Sequence, residues 1–557
     1  MWFEEADGVA ELFKGILPYY LLIVLPIFII ISPANPVAAS HEFAVNRMQQ
    51  YDLHGVPHGC RSAAVNLEAR SLIGWGTSRH CVVVKLQDLS IDHFRDIRAK
   101  AGALLVILPK EISALSTEEK QHLMLLEDAM MVQEVSIPVY FAVWTPELEE
   151  IVTDITYSFI TDDKAGSAAE AILNSISANG YQIVISPGST SAKQEIKIAT
   201  LQGKLNGAGA EGKIPTIALV AHYDSFGVAP ELAFGADANG SGVAMLMEIA
   251  RLFSHLYSNT KSIGKYNIVF LLTGGGKFNY QGSKKWLEDQ LDSLEGSVIQ
   301  DASYVVCLDT LSAGDSLYMH VSKPPKEGSP SSAFFKHLKS AVDKYPAVTV
   351  DGVHKKINLA DELLAWEHER FSIRRLPAFT LSSLKSHRDM SRATILDTKA
   401  TLDLDRLVRH THIVAEAMAK HIYNLTAGEL FSHSLKVEKS HLELWLNYLT
   451  AQPRSAQMLC DKNNPLVNTL KASLTRYLKD VKVTYASPDK REPEFMFYDV
   501  THATVNVYSV KPAVFDLVLT FAIILYLGAV YMFMQYFPCI YSAACLVASS
   551  SKKSKVN

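Results

Sequence analysis

The chain has 557 residues, a formal net charge of −5, 48% hydrophobic residues and 20% charged residues. This length predicts roughly two or three folded units, and the composition suits a globular protein with some membrane-embedded sequence. A charge this close to zero, without a long basic run or a stripe of basic and aromatic residues, argues against nucleic-acid binding.

An apolar segment at residues 17–31 lies close to the start of the chain. It is short for a membrane span but long enough for the core of a signal peptide. Small residues at 37–39 give signal peptidase a place to cut, although the residues before the apolar segment are mostly acidic. We expect residues 1–40 to be a signal peptide, and the alternative is a retained signal anchor.

Residues 41–150 predict a small α/β lobe. Strands are expected at 82–86, 103–108 and 137–143, and a helix is expected at 117–131. The run at 103–108 is continuously apolar, which indicates a strand that is buried on both faces. The lobe therefore needs helices or loops on each side of its sheet.

The chain contains six cysteines, and two of them, Cys60 and Cys81, lie in this lobe. No pair has the C-x-x-C spacing of a metal site, and there are too few for a fold built on disulfides. Cys60 and Cys81 fit either one disulfide or two free buried thiols.

Residues 151–427 alternate between strands and helices. Strands are expected at 216–221, 267–273, 303–308 and 376–381, and helices are expected at 242–253 and 407–423. This alternation predicts an α/β domain with a mostly parallel, doubly wound sheet that is covered by helices on both faces.

Polar side chains follow the strands of this domain. His222 and Asp224 come directly after the strand at 216–221, and Asp309 follows the strand at 303–308. A glycine-rich run at 235–242 opens the next helix. The carboxyl ends of strands in a doubly wound sheet meet at one edge, which is where such folds place their sites. His and Asp side chains on converging strand ends indicate a metal site.

These runs resemble the zinc aminopeptidase superfamily that uses paired zinc ions. The matching runs are H-Y-D-S at 222–225, G-A-D-A-N-G-S-G at 235–242, G-S at 282–283 and L-D at 308–309. The resemblance implies that superfamily's fold over about residues 151–423. It also implies that His222 matches the first zinc ligand, Asp224 the carboxylate that orients this His, and Asp309 a later ligand.

The other roles of that superfamily are not filled. The bridging Asp position holds Ala238, the Glu-Glu positions hold Gly276 and Lys277, and the late His position holds Ala393. Asp237 lies one residue too early to replace the bridging Asp, and His387 would need a rearranged loop to replace the late His. Because catalytic zinc normally has three protein ligands, we expect a structural network of hydrogen bonds without metal or cofactor.

Residues 428–512 predict a membrane-proximal region with a helix at 441–450 and no assignable fold. Residues 513–537 are long and apolar enough to cross a bilayer once. Residues 538–557 form a short tail with basic and no acidic residues, and the positive-inside rule places this tail in the cytosol and the large domain in the lumen. The basic residues of the tail are Lys552, Lys553 and Lys555.

Two short signals agree with this topology. Residues 553–557 resemble the dilysine signal that returns membrane proteins to the endoplasmic reticulum. Asn424 begins a sequon and is expected to be glycosylated in the lumen. Asn239 also begins a sequon, but its place at a helix start leaves its glycosylation open.

The eroded site, the single C-terminal span and the basic tail together resemble the nicalin family, which is related to nicastrin. The resemblance implies an aminopeptidase-like pseudoenzyme that serves as a scaffold in the endoplasmic-reticulum membrane. Its implied partners are the Nodal-modulator protein, a small polytopic membrane protein and the translocon, and its implied roles are insertion of multi-spanning proteins and modulation of Nodal signalling. The alternative is a single-zinc aminopeptidase or glutaminyl-cyclase-like enzyme. Gly276 argues against it, because the position of the general base has no side chain.

Overall fold

The computed structural model describes residues 39–163, 180–209, 214–292, 297–300, 302–489, 494–510 and 513–553. The expected signal segment at 17–31 and the end of the basic tail, with Lys555, lie outside these residues. Within them the chain forms three β-sheets and a set of α-helices. All residues of the candidate site lie in the described ranges.

The central strands are rich in the apolar and β-branched residues that favour sheets. In chain order, the strands of the described residues are β1 (His41–Arg47), β2 (Gln50–Leu53), β3 (Val56–Cys60), β4 (Val65–Arg70), β5 (His80–Lys85), β6 (Ala103–Ile107), β7 (Glu134–Val135), β8 (Val139–Ala142), β9 (Gly180–Ile185), β10 (Ile198–Leu205), β11 (Thr216–His222), β12 (Asn267–Thr273), β13 (Ala302–Leu308), β14 (Ser316–Val321), β15 (Thr349–His354), β16 (Ala378–Ser382), β17 (Lys479–Ala486), β18 (Phe495–Phe497) and β19 (His502–Val510).

Side chains cap the starts of several helices. The α-helices of the described residues are α1 (Ile91–Lys100), α2 (Thr117–Met131), α3 (Pro146–Asp163), α4 (Gly240–Ser258), α5 (Gln281–Leu291), α6 (Pro330–Val342), α7 (His368–Ile373), α8 (Leu404–Tyr423), α9 (Lys439–Leu449), α10 (Ala456–Leu459), α11 (Pro465–Tyr477) and α12 (Ala513–Lys553). At α2, Ser116 and Glu119 form a capping box, which satisfies two backbone N–H groups at the helix start.

A closed sheet builds the N-terminal lobe, with strand order β1-β19-β9-β4-β5-β6-β8. Helices α1 and α2 pack on one face of this sheet, and α3 packs on the other. The lobe expected at 41–150 is therefore completed by β9 and β19, which come from later in the chain and pair antiparallel with each other. Cys60 and Cys81 are both buried free thiols, so this lobe has no disulfide between them.

The second sheet has eight strands among the described residues, in the order β15-β14-β16-β13-β11-β12-β10-β17. Its centre, from β16 to β12, is parallel. Strand β14 is antiparallel to β16, and β10 is antiparallel to both β12 and β17. The expectation of a mostly parallel, doubly wound sheet is not confirmed, because the sheet is mixed. Antiparallel neighbours need no helical crossover, so the alternation of strands and helices could not reveal them.

Alternate side chains of β11 pack into two different cores. Ile217 and Leu219 lie in a core with α4, α6 and α8, whereas Ala218 and Val220 lie in a core with α5 and α7. Helices therefore cover both faces of this sheet, as the sequence predicts. Since β11 and β13 are parallel neighbours, the residues that follow them emerge at the same edge.

The region at 428–512 belongs to both lobes. It provides β17 at the edge of the eight-stranded sheet and β19 in the closed sheet, and β18 extends a small sheet with β2, β3 and β7. Helix α9 packs on α4, where His441 Nδ1 lies 2.6 Å from Oε2 of the fully buried Glu248. The sequence gives no sign of these pairings, because each strand has its partners hundreds of residues away.

Helix α12 contains the candidate membrane span. The window Leu519–Phe537 is 19 residues long, is apolar enough to cross a membrane and has none of its residues buried. The span expected at 513–537 is thus helical, and the helix continues through Pro538 as far as Lys553. Only two residues separate the end of β19 from the start of α12.

Candidate metal centre

His222 is the last residue of β11 and is fully buried. Its Nδ1 lies 3.4 Å from Oε2 of Glu367, a buried residue just before α7. The hydroxyls of Thr273 and Ser283 donate to the other carboxylate oxygen of Glu367, at 2.8 Å and 2.5 Å. The ring of Tyr280 meets the His222 ring edge-on at 5.8 Å. Glu367 is therefore the carboxylate that contacts His222, a role that the sequence predicted for Asp224.

Asp224 does not orient His222. Its two carboxylate oxygens accept hydrogen bonds from the backbone N–H groups of Gly276 at 2.7 Å and Lys277 at 3.0 Å. It thereby fixes the loop that follows β12. A Cβ atom on Gly276 would overlap the His222 ring, so this loop has no room for a glutamate side chain at that position.

Asp309 follows β13 and is paired with Arg392. The Arg392 guanidinium donates to Oδ2 of Asp309 at 2.5 Å, and the Thr310 hydroxyl donates to Oδ1 at 2.7 Å. Burial would raise the pKa of Asp309, but the Arg392 guanidinium, together with His222, Lys277 and the Thr310 hydroxyl, outweighs burial and holds the pKa well below its usual range. The same guanidinium donates to the Tyr280 hydroxyl and lies over the Trp366 ring, 4.3 Å from its centroid. Asp309 thus has a permanent counter-charge where a zinc ligand would face a metal.

Lys277 lies beside this ion pair. Its Nζ donates to the backbone carbonyl of Arg392 at 2.8 Å. Burial lowers the pKa of Lys277 to about 8, and the nearby Asp309 opposes this shift. Ala393 is exposed at the end of a short 3-10 helix, Met390–Ala393. His387 contributes its backbone carbonyl, which accepts from Arg392 at 3.0 Å, and its ring belongs to no metal-binding group of three among the described residues.

The loop before α4 turns its acidic side chain away from His222. Ala238 is buried and offers only a methyl group. The Asp237 carboxylate accepts from the backbone N–H groups of Leu311 at 2.9 Å and Ser312 at 2.8 Å, which anchors the loop after β13. Asp397 accepts from the backbone N–H groups of residues 237 and 238 at 2.9 Å and 2.8 Å. These carboxylates therefore hold loops together.

Asn239 caps the start of α4 and is fully buried. Its amide nitrogen donates to the carbonyl of His222 at 3.1 Å and to the carbonyl of Leu308 at 2.7 Å. A glycan on this nitrogen would remove these bonds and has no space in the fold. The sequon at Asn239 is therefore incompatible with glycosylation of the folded chain.

The residues present do not fit a zinc ion. Within the described ranges, no group of three or more His, Cys, Asp and Glu side chains converges so as to hold a metal. Nε2 of His222 is buried and finds no hydrogen-bond partner among the residues that the structure describes. The other two residues expected to form the remnant, Asp224 and Asp309, are bonded to backbone N–H groups and to a guanidinium.

The structure thus brings His222, Asp224 and Asp309 to one edge of the sheet, and it adds two residues that the sequence analysis missed. Glu367 lies just before α7, and Arg392 lies in the short 3-10 helix Met390–Ala393, so no long periodic pattern marks either residue. Ala393 occupies the position of the late His, so it marked the loop that brings the neighbouring Arg392 to the site.

Comparison with known proteins places this geometry in a family. Residues 200–418 match the model of peptidase family M28. The chain is 47% identical to the BOS complex subunit ncln of Danio rerio over 97% of both chains. It is 29% identical to nicalin of Caenorhabditis elegans, with 94% of this chain and 96% of that protein covered.

Among solved structures, nicastrin of γ-secretase has the same fold. It matches with a TM-score of 0.58 at 11% identity, covering 85% of this chain and 100% of the nicastrin chain. An identity this low supports a shared fold alone. The relatives of high identity decide the family: the chain belongs to the nicalin family, whose members include the BOS complex subunit NCLN.

Proposed function

We propose that the chain is a non-catalytic scaffold subunit of a membrane complex in the endoplasmic reticulum, the BOS complex that names its relatives. Its proposed partners are the Nodal-modulator protein and a small polytopic membrane protein. In this role the complex acts at the translocon in the insertion of multi-spanning proteins, and it modulates Nodal signalling. Together with the family membership, the resemblance of the chain to nicalins supports these assignments.

The ion pair between Arg392 and Asp309 is the observation that supports a non-catalytic role. An aminopeptidase of the paired-zinc kind needs carboxylates that face metal ions, and here the carboxylate faces a guanidinium. An ammonium about 4 Å from a divalent ion, as Lys277 would present, repels it by about 8 kcal/mol at an effective dielectric constant of 20. His222, Asp224 and Asp309 accordingly serve as structural residues.

The membrane topology follows from the same proposal. The large domain lies in the lumen, α12 crosses the membrane once, and the tail at 538–557 lies in the cytosol, because its basic residues favour that side. Asn424 ends α8 and is exposed, so it is accessible as the glycosylation site in the lumen. The lysines of the tail then face the machinery that returns membrane proteins to the endoplasmic reticulum.

The test is affinity capture of the full chain from detergent-solubilised membranes, followed by mass spectrometry and elemental analysis. We expect the proposed partners to be recovered in equal amounts with the wild type, Lys277→Ala and His222→Ala, and we expect no stoichiometric zinc. Thermal melts should accompany the variants, because a substitution that unfolds the chain also loses partners. About one zinc per chain that disappears in His222→Ala would favour the single-zinc enzyme and overturn the scaffold proposal.

A further inference from the structure

A cleft with a volume of about 380 Å³ opens over the ion pair of Arg392 and Asp309. Aromatic side chains form part of its wall, and two consecutive leucines form another part. These residues are Tyr51, Phe226, Phe278, Tyr280, Leu363 and Leu364. A wall of this kind, with a few polar groups at one place, is typical of sites that bind small molecules or short peptide segments.

The charged groups of the cleft favour an anion. Lys277, Arg388 and Arg392 line it, against two carboxylates, Asp128 and Asp389. Asp389 is already used locally, since it accepts from the backbone N–H and the hydroxyl of Ser391. With Arg392 balanced by Asp309 and Asp389 engaged with Ser391, Lys277 and Arg388 remain in the wall beside one carboxylate, Asp128.

Lys277 is the part-buried cation of the wall that is free to receive a ligand, whereas Arg388 is exposed to solvent. The charge of Arg392 is balanced by Asp309 at 2.5 Å. The described partner of the Lys277 ammonium is a neutral carbonyl at 2.8 Å, and no carboxylate of the described residues lies within ion-pair distance of it. An ammonium group has three donors, so two remain for a ligand. The carboxylate of Asp224 is held by the backbone N–H groups of Gly276 and Lys277.

We propose that this cleft binds a carboxylate that is attached to an apolar residue, as at the C-terminus of a peptide with an apolar last side chain. The Lys277 ammonium receives the carboxylate, and the aromatic wall receives the side chain. A metallopeptidase surrounds a cationic metal with anionic side chains. In this chain a lysine lies beside an apolar wall instead. The preferred ligand is thereby anionic. This site does not depend on the membrane-complex proposal.

Isothermal titration calorimetry on the full chain in detergent tests the proposal with N-acetyl-leucine and its uncharged analogue N-acetyl-leucinamide. We expect N-acetyl-leucine to bind with a Kd in the millimolar range and the amide to bind at least about tenfold more weakly. A third probe, N-acetyl-glutamyl-leucinamide, carries its only carboxylate on a side chain. Comparing the two acids tells a terminal carboxylate from a side-chain carboxylate as the source of the ligand.

Lys277→Gln should weaken binding of N-acetyl-leucine by about tenfold to a hundredfold. Lys385→Gln removes an exposed lysine from a neighbouring loop outside the cleft and should leave binding unchanged. Equal binding of acid and amide, an unchanged Kd in Lys277→Gln, or no binding of either acid to the wild type would each overturn the site. If Lys277→Gln does not fold, the comparison of acid and amide on the wild type decides alone.

Discussion

At the scale of single residues, the pairing of Arg392 with Asp309 is the main chemical feature of the candidate metal centre. Asp309 is almost fully buried, and a buried carboxylate without a counter-charge is costly. In a metalloenzyme the metal supplies this charge, and here a guanidinium supplies it from a loop 83 residues further along the chain. The tyrosine and tryptophan beside the guanidinium fix its plane. Asp309 therefore has its counter-charge within the chain.

We expect Arg392→Ala to destabilise the chain by about 3–5 kcal/mol, because it leaves Asp309 buried and unpaired. Arg388→Ala, which removes an exposed cation four residues earlier, should change stability by less than about 0.5 kcal/mol. Chemical denaturation of the full chain in detergent, followed by intrinsic fluorescence, measures both.

The double variant Asp309→Ala/Arg392→Ala provides the control for this prediction. It removes both charges, so its loss of stability should be clearly smaller than the sum of the two single losses. Additive losses would show that the two side chains do not interact, and the ion pair would then lose its role in the site.

The residues of this site differ in how well the sequence predicts them. His222, Asp224 and Asp309 follow strands of strong apolar pattern, so both their edge of the sheet and their proximity are predictable. Their hydrogen-bond partners are not predictable. Asp224 accepts from the loop after β12, and His222 contacts Glu367. Such pairings depend on where irregular segments cross the site, and residue periodicity carries no information about that path.

At the scale of elements, Glu127 joins the two lobes. It lies on α2 of the N-terminal lobe and is buried, and its carboxylate oxygens accept from the Thr394 hydroxyl at 2.8 Å and the Ile395 N–H at 3.0 Å. This contact holds the segment that follows Arg392. The N-terminal lobe therefore takes part in positioning the site loop of the larger domain.

This contact predicts a pH dependence of stability. Burial raises the pKa of Glu127 from 4.5 to about 8. Since the folded pKa is the higher one, the folded state keeps a proton that the unfolded state releases, and stability is lost as the pH rises from about 4.5 to about 8. We expect the Tm of the wild type to fall by several degrees relative to Glu127→Gln over this window, at about 2–4 °C per kcal/mol.

Glu118→Gln is the matched control, since Glu118 lies exposed on the same helix. Its Tm should follow that of the wild type at every pH. A parallel pH profile for the wild type and Glu127→Gln would mean that Glu127 does not keep its proton in the folded state.

At this scale, the positions of helices and strands were more predictable than the pairing of strands within the sheets. The helix at 117–131 and the strand at 267–273 are found at the predicted residues. Strand β10 and the edge strand β17 were not predicted, because their neighbours are set by contacts between distant segments. For the same reason the region at 428–512 had no recognisable fold, although its strands complete both sheets.

At the scale of the whole molecule, the position of Asn424 and the basic tail test the orientation in the membrane. We expect protease treatment of sealed microsomes to remove a C-terminal tag and to leave a protected domain whose mobility changes with glycosidase. Asn424→Gln should abolish that change, because Asn239 is buried in the fold. A digested domain with a protected tag would show the opposite orientation.

The junction between β19 and α12 also has a mechanical consequence. The two residues between Val510 and Ala513 allow a separation of about 11 Å at most. Strand β19 is hydrogen-bonded on both sides, to β1 and to β9, so it cannot slide or swivel independently of its lobe. A displacement of α12 therefore carries the folded domain with it, with a slack of about 11 Å at most. Neighbours that pack against α12 within a bilayer would thereby hold the folded domain close to themselves.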